Sequence, residues 1–142
     1  MGAHFIHTGL FPTLQGFFMS LPMGFLVTSI LFVNEIPDVQ DDRDAKKYTW
    51  VSVSGPDKAW LWYLALMSAA FLSVLVNVAR GYLSPFALVS LILLIPGIKA
   101  ASIVRTQYRD KLKLIASSKL TIAVHSMVSS ILILDLLLVC KK

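Results

Sequence analysis

Residues 17–47 read FFMSLPMGFLVTSILFVNEIPDVQDDRDAKK, in which an apolar stretch changes abruptly into an acidic one at Asn34. The part from Phe17 to Val33 carries no charged side chain, and its length is close to the ~20 residues that a helix needs to cross a bilayer. The acidic part follows without a linker. This polarity step predicts a membrane helix that ends at the bilayer surface and is followed there by a polar loop.

Three more apolar stretches have a comparable length and contain no Lys, Arg or Glu: Ala59 to Ala79, Tyr82 to Ile98, and Leu120 to Cys140. Pro22 in the stretch that begins at Phe17, and Pro85 and Pro96 in the stretch that begins at Tyr82, predict local kinks. The pattern predicts an all-α fold, a polytopic transmembrane helix bundle with about four spans.

The composition of the 142-residue chain supports this prediction. Hydrophobic residues make up 56% and charged residues 15% of the chain, with a mean hydropathy of +0.73. Soluble domains carry roughly 25% charged residues, and a chain of this length has too little interior to hide so much apolar surface from water. The single cysteine, Cys140, excludes a disulfide within the chain.

The basic residues predict the orientation. Four crossings place the loop 34–58 and the connector 99–119 on one side of the membrane, and these segments hold ten of the 13 Lys and Arg residues. Cytoplasmic loops carry such an excess, so we expect a cytoplasmic acidic loop and a non-cytoplasmic C-terminus in a multi-pass protein of the plasma or inner membrane. The same rule explains the net charge of +5 without a nucleic-acid partner.

Residues 1–16 are too short to span a membrane, and they lack the Lys or Arg with which a secretory signal begins. We interpret them as a partial loop or the end of a missing helix. Residues 17–142 form the membrane domain.

Five of the eight acidic residues lie between Glu35 and Asp44. Carboxylates crowded at a membrane boundary repel one another unless a cation bridges them. Pro37 suits the first turn of a helix, which would place Asp38 and Asp42 on one helix face. Two carboxylates, with water and phosphate oxygens, are a usual way of holding Mg²⁺.

Other readings of this loop stay open. Asp41 is an alternative metal ligand, because Asp38, Asp41 and Asp44 are also plausibly spaced, although a solvated surface position is favoured for Asp41. Asn34 and Glu35 either orient the metal ligands or cap the end of the helix. The whole loop could also be a solvated connector of mixed charge.

The basic residues of the loop suggest a phosphate ligand. Arg43, Lys46 and Lys47 follow the carboxylates directly. Such side chains contact phosphate oxygens and offset the charge that develops on a departing diphosphate. They are therefore candidate diphosphate-binding residues.

The run LFVNEIPDVQDDRDAKKYTWVSVSG, residues 31–55, resembles the second aspartate-rich motif of the UbiA superfamily of intramembrane prenyltransferases. The positions that carry the resemblance are Asn34, Glu35, Pro37, Asp38, Asp42, Arg43, Ala45, Lys47, Thr49 and Gly55. Within the superfamily, the chain is most similar to the 1,4-dihydroxy-2-naphthoate polyprenyltransferases of menaquinone synthesis.

The resemblance implies a nine-helix bundle around a cavity open to lipid, of which this chain would be the C-terminal half. It implies Mg²⁺ as cofactor, with prenyl diphosphate, an aromatic acceptor, membrane lipid and the missing N-terminal half as partners. The family's first motif, Asn-x-x-x-Asp-x-x-x-Asp, is absent from this sequence. We therefore expect this chain alone to be inactive, and the alternative is a non-catalytic membrane subunit or degenerate fragment acting by helix association.

Three polar residues interrupt the apolar stretches, namely Asn77, His125 and Asp135. Ionisable groups at membrane depth suggest function by default. Asp135 lies near the opposite surface, so we expect a structural partner for it. For His125 we expect a hydrogen bond between helices rather than a position facing the cavity.

Overall fold

The computed structural model describes residues 13–139 and confirms the all-α prediction, since these residues form helices and turns without a strand. The helices are α1 (Leu14–Glu35), α2 (Val39–Asp44), α3 (Trp50–Ser54), α4 (Ala59–Ala79), a 3₁₀ helix (Pro85–Leu93), α5 (Leu94–Gln107) and α6 (Lys111–Val139). The 3₁₀ helix continues directly into α5, so the two form one rod.

Four helical segments are long and apolar enough to cross a membrane: Leu14–Glu35, Ala59–Ala79, Pro85–Gln107 and Lys111–Leu138. The predicted number of spans is confirmed, and the chain is an integral membrane protein. The helix expected from Phe17 begins earlier, because the Thr13 side chain caps α1 by accepting from the Gly16 N–H at 3.1 Å. The predicted end of the last span at Cys140 lies outside the described residues.

The predicted basic connector 99–119 is wrong as a loop. Helix α5 continues to Gln107 and α6 begins at Lys111, so only three residues join them. Lys and Arg extend these helices because their aliphatic stems pack along apolar surface while their charges reach water. Asp110 then starts α6, since its Oδ1 accepts from the backbone N–H groups of Leu112 at 3.1 Å and Lys113 at 3.2 Å.

Small residues bring the helices together. Ser29, Ser90 and Ser117 are fully buried, as are Ala87 and Ala100. Lipid supplies no hydrophobic force between spans, so close approach of small residues and hydrogen bonds take its place. The Ser117 hydroxyl of α6 donates to the Ala100 carbonyl of α5 at 3.1 Å. Helix α1 packs mainly on α4, and α6 packs on α5 and α1.

Polar side chains also organise the end of the bundle opposite the acidic loop. The turn after α4 contains Gly81, whose φ is +71°. Buried Asn77 donates through Nδ2 to the Phe18 carbonyl of α1 at 2.8 Å. Buried Asp135 accepts from the backbone N–H of Ser84 at 3.0 Å and from the Ser84 hydroxyl. Asp135 thus has the structural partner expected for it.

The hydrogen bond predicted for His125 is not found at its Nδ1. This atom is buried and has no hydrogen-bond partner among residues 13–139. His125 instead lines an apolar pocket of about 380 Å³ together with Met19, Met23 and Ser129.

Candidate functional site

The acidic loop begins with a tight turn at the end of α1. Helix α1 ends at Glu35, residues 36–38 form the turn, and the Asp38 N–H donates to the Glu35 carbonyl at 3.2 Å. Pro37 lies in this turn and not in the first turn of the next helix, which begins at Val39. Its missing N–H ends α1, because the carbonyl one turn earlier loses its donor.

Asp38 and Asp42 lie one helical turn apart. The Asp42 N–H donates to the Asp38 carbonyl at 2.8 Å, and Asp38 immediately precedes α2. The Asp38 side chain does not cap α2 and is exposed, whereas Asp42 is only 9% exposed. The turn spacing agrees with the sequence prediction, but one carboxylate faces water and the other is covered.

Lys47 compensates the covered carboxylate. Its Nζ lies 3.2 Å from Asp42 Oδ1, and its backbone N–H donates to the Asp42 carbonyl at 2.8 Å. Lys46 makes this return possible, because its left-handed backbone, with φ +56°, ends α2 and reverses the chain. The Lys46 side chain itself is exposed.

The other carboxylates of the loop point elsewhere. Asp41 pairs with Lys111 of α6 at 3.2 Å, and both side chains are more than half exposed. Asp44 accepts from the Gln40 side chain at 3.2 Å. Within residues 13–139, no three His, Cys, Asp or Glu side chains are grouped as a metal site. This applies both to the set of Asp38, Asp41 and Asp44 and to the set of Asp38 and Asp42 with Glu35, so the choice of metal ligands stays a prediction. Asp41 has a solvated position.

Arg43 ties the loop together. Its Nη2 donates to the Ser52 carbonyl of α3 at 2.8 Å. Thr49 caps α3 by accepting from the Ser52 N–H at 3.3 Å, and Gly55 ends it with φ +92°. Three of the motif residues thus fold the segment after α2 back against it, and the neutral Ser52 carbonyl does not compensate the charge of Arg43.

The two residues at the end of α1 differ in role. Asn34 accepts through Oδ1 from the Ser118 hydroxyl, so it links α1 to α6 and does not cap α1. Glu35 has a buried Oε2 with no hydrogen-bond partner in the described part of the chain. A buried oxygen of this kind calls for an ion, a water or a ligand. From the sequence, Glu35 was expected to orient the metal ligands or to cap the helix. The burial of its Oε2 depends on the packing of the helices and could not be predicted.

A pocket lined by aromatic side chains lies beside the last two turns of α1. The ring centroids of Trp50 and Trp62 are 5.0 Å apart, and those of Phe32 and Trp50 are 6.5 Å apart. With Thr28 and Ala69 among the other lining residues, they enclose an apolar pocket of about 230 Å³. The tryptophans are consistent with an interfacial belt, and their clustering with Phe32 depends on the packing of α1 against α4.

The sequence of the chain matches the model of the UbiA prenyltransferase family over residues 1–124. This range is well over half of the chain and contains the whole acidic loop. The chain belongs to the UbiA prenyltransferase family. No curated protein and no solved structure matches the chain significantly.

The UbiA match makes this chain a membrane-embedded protein of a prenyltransferase family. It covers Asp38, Asp42, Arg43 and Lys47 and ends before His125. The donor set of the loop suits Mg²⁺, because that ion needs only one or two carboxylates when water and phosphate oxygens complete its octahedron. The buried Glu35 oxygen adds an unsatisfied acceptor on the neighbouring turn. These residues therefore fit the cation.

Proposed function

We propose that this chain takes part in the Mg²⁺-dependent transfer of a polyprenyl group from a prenyl diphosphate to an aromatic acceptor. The observation that carries the proposal is the placement of Asp38 and Asp42 one turn apart, where a membrane helix ends. This geometry suits a ligand whose head is a metal-bound diphosphate and whose tail is apolar. Family membership supports the class of reaction.

In this proposal, Asp38 and Asp42 hold the cation. Bound Mg²⁺ would supply a Lewis acid that neutralises charge on the diphosphate. Asp38 is free to bind without rearrangement, since it is exposed and does not cap α2. Asp42 has Lys47 on one oxygen, so the arrival of the cation would shift the Lys47 ammonium towards the phosphate. Arg43 and, more weakly, Lys46 would add positive charge on the same side.

The reaction breaks the bond between the allylic carbon and the diphosphate oxygen. The electron pair leaves with the diphosphate, the carbon becomes electron-poor, and an electron-rich ring attacks it. We infer 1,4-dihydroxy-2-naphthoate as acceptor from the resemblance of the motif, with loss of the ring carboxylate as CO₂ in menaquinone-type quinone synthesis. The apolar helices would receive the polyprenyl tail, as the exposed Leu31 and Ile115 illustrate.

The proposed orientation places the acidic loop in the cytoplasm. The contact between Asp41 and Lys111 supports one part of this arrangement, because it joins the acidic loop to the α5–α6 turn at the same end of the bundle. The two segments with most of the Lys and Arg residues then share one side. Correspondence of the chain to the second half of a nine-helix bundle stays a prediction.

Calorimetry of the chain in nanodiscs, titrated with geranylgeranyl diphosphate with and without Mg²⁺, tests the proposal. We expect binding that requires Mg²⁺ and that Asp38→Ala weakens by on the order of 100-fold, since a metal ligand supplies several kcal/mol. Asp41→Ala removes the same charge three residues away and is the matched control, with an expected change below about threefold. Equal binding without Mg²⁺ would refute the proposal.

Acceptor choice has its own test. Membranes that contain the chain together with a UbiA-type segment carrying the first aspartate-rich motif are supplied with a prenyl diphosphate and either 1,4-dihydroxy-2-naphthoate or 4-hydroxybenzoate, and CO₂ release is measured together with the prenylated product. The naphthoate branch predicts product and CO₂ in equal amounts from the first acceptor. Product from 4-hydroxybenzoate alone would contradict the branch and leave the class of reaction standing.

A further inference from the structure

A second pocket opens at the same end of the bundle, on another side of α2. Its volume is about 570 Å³, and it lies between α2, the segment after α3 and the turn between α5 and α6. Arg43, Arg109 and Lys111 line it, together with a single carboxylate, Asp57. Neither of the proposed metal ligands is among its lining residues in the described chain.

The pocket has an excess of positive charge. Three cations face one carboxylate there, and the excess remains when Asp41, the ion-pair partner of Lys111, is included. Arg43 donates to a backbone carbonyl, which leaves its charge uncompensated. Arg109 lies over the Tyr108 ring at 5.4 Å from the centroid, and this neutral ring does not compensate the guanidinium charge either. The natural ligand for such a recess is an anion with several acceptor oxygens.

The position of the pocket indicates that the anion comes from the membrane. Arg109 lies in the three-residue turn between two spans, and Lys111 begins the next span, so the cations stand at headgroup level. One turn along α6 from Lys111, towards the membrane, Ile115 is 49% exposed, and Ile122 continues the same face at 47%. The floor of the pocket is itself apolar, with Ile36 and Val39. When the phosphate of a phospholipid enters the pocket, the acyl chains of the lipid can therefore lie on an apolar surface beside the cations.

We propose that this pocket binds the phosphate headgroup of an anionic phospholipid from the surrounding membrane, with the acyl chains along the exposed face of α6. Basic pockets between spans are suited to such headgroups, because low local dielectric strengthens their attraction beyond that of a flat basic surface. The pocket shares Ile36, Pro37 and Arg43 with the acidic loop but includes neither Asp38 nor Asp42, so its occupation does not require bound Mg²⁺ or prenyl transfer. A bound lipid there would connect α2 to the α5–α6 turn.

Native mass spectrometry of the chain released from vesicles of equal parts phosphatidylglycerol and phosphatidylcholine tests this proposal. We expect the wild-type chain to retain at least about fivefold more phosphatidylglycerol than phosphatidylcholine. In the double variant Arg109→Gln with Lys111→Gln, the ratio of the two retained lipids should be close to one. Lys113→Gln is the matched control for the single variant Lys111→Gln, which should lower the excess by itself. It removes the same charge two residues from Lys111, at a side chain that pairs with Asp110 and does not line the pocket.

Further variants keep the test decisive. The charge-conserving pair Arg109→Lys with Lys111→Arg should retain the excess, and circular dichroism should show equal helix content in all variants. A loss as large in Lys113→Gln as in Lys111→Gln would mean diffuse attraction and overturn the proposal. Displacement of the lipid by millimolar inorganic phosphate, with equal retention of that phosphate by the lipid-free chain, would overturn a lipid source. Retention of the excess by Asp38→Ala would separate this site from the metal loop.

Discussion

Lys47 Nζ lies 3.2 Å from Asp42 Oδ1, while the Lys47 backbone N–H donates to the Asp42 carbonyl at 2.8 Å. The two residues are therefore joined twice, through the side chain and through the backbone. The backbone bond positions the lysine, and the ion pair compensates a carboxylate that has little access to water. A cation arriving at Asp42 competes only with the ion pair, because the backbone bond can stay in place.

Asp38→Ala and Asp42→Ala should differ in stability although both should strongly weaken Mg²⁺-dependent binding of prenyl diphosphate. Asp38 is exposed and has no capping bond, so its removal should leave the thermal midpoint unchanged. Removal of Asp42 leaves Lys47 without its partner and should cost about 0.5–1 kcal/mol, after allowance for the exposed lysine. Thermal unfolding in detergent measures this difference. Equal midpoints would contradict the structural role of the pair.

Lys47→Met should move two affinities in opposite directions. Mg²⁺ no longer competes with an ammonium group for Asp42, so its affinity should rise by about threefold. Prenyl diphosphate loses a cationic contact and should bind about tenfold more weakly. Lys58→Met, at an exposed position just before α4, is the control for loss of charge. Parallel titrations with each ligand give both constants, and a fall in both would refute the competition.

Asp135 and Ser84 should be energetically coupled without affecting catalysis. The carboxylate accepts from both the backbone and the hydroxyl of Ser84, at the end of the bundle remote from the acidic loop. Hydrogen bonds between membrane helices are worth about 0.6–2 kcal/mol. A double-mutant cycle of Asp135→Ala and Ser84→Ala, read by thermal unfolding, should give a coupling in this range. Additive effects would mean that the hydroxyl contact contributes nothing.

Gly55→Ala should destabilise the loop, whereas Gly24→Ala should not. Gly55 has φ +92°, and an added Cβ would lie 2.6 Å from Asp57 Oδ1. The strain should cost about 1 kcal/mol or more. Gly24 lies inside α1 with open space around an added Cβ, so alanine there should be neutral or stabilising by about 0.5–1 kcal/mol. Midpoints that fall equally in both variants would argue against the backbone explanation.

Asp110 should make α6 sensitive to acid. The backbone N–H of Lys113 is the main cause that holds the pKa of this carboxyl below its ordinary value, with further lowering by the Lys113 ammonium and the Leu112 N–H. A lowered pKa in the folded chain means that the stabilisation is present above the unfolded value of about 3.9 and is lost as the pH falls through the folded value. Asp110→Asn should lack this loss. The measurement is the thermal unfolding midpoint of the wild-type chain and of Asp110→Asn between pH 6 and pH 3. The difference between these two midpoints should become smaller as the pH falls.

Much of the architecture could be predicted from the sequence, because it depends on local composition. An apolar stretch without charges must enter the bilayer, and a change of polarity such as that at Asn34 must lie at its surface. The acidic motif was recognisable because its residues are close in the chain. The segment 99–119 was harder, since basic side chains suit both a loop and the exposed end of a membrane helix.

The sequence by itself determined that residues 13–139 contain four membrane-spanning helices, that most acidic residues lie where the first of these helices ends, and that the motif is of the UbiA type. Only the tertiary structure decided which partners these residues have. It covered Asp42 and left Asp38 in water, joined Asn34 to Ser118, and brought Arg43 to the same pocket as Arg109. Such pairs are far apart in the chain, and they meet only because packed helices with fixed rotations bring particular faces together.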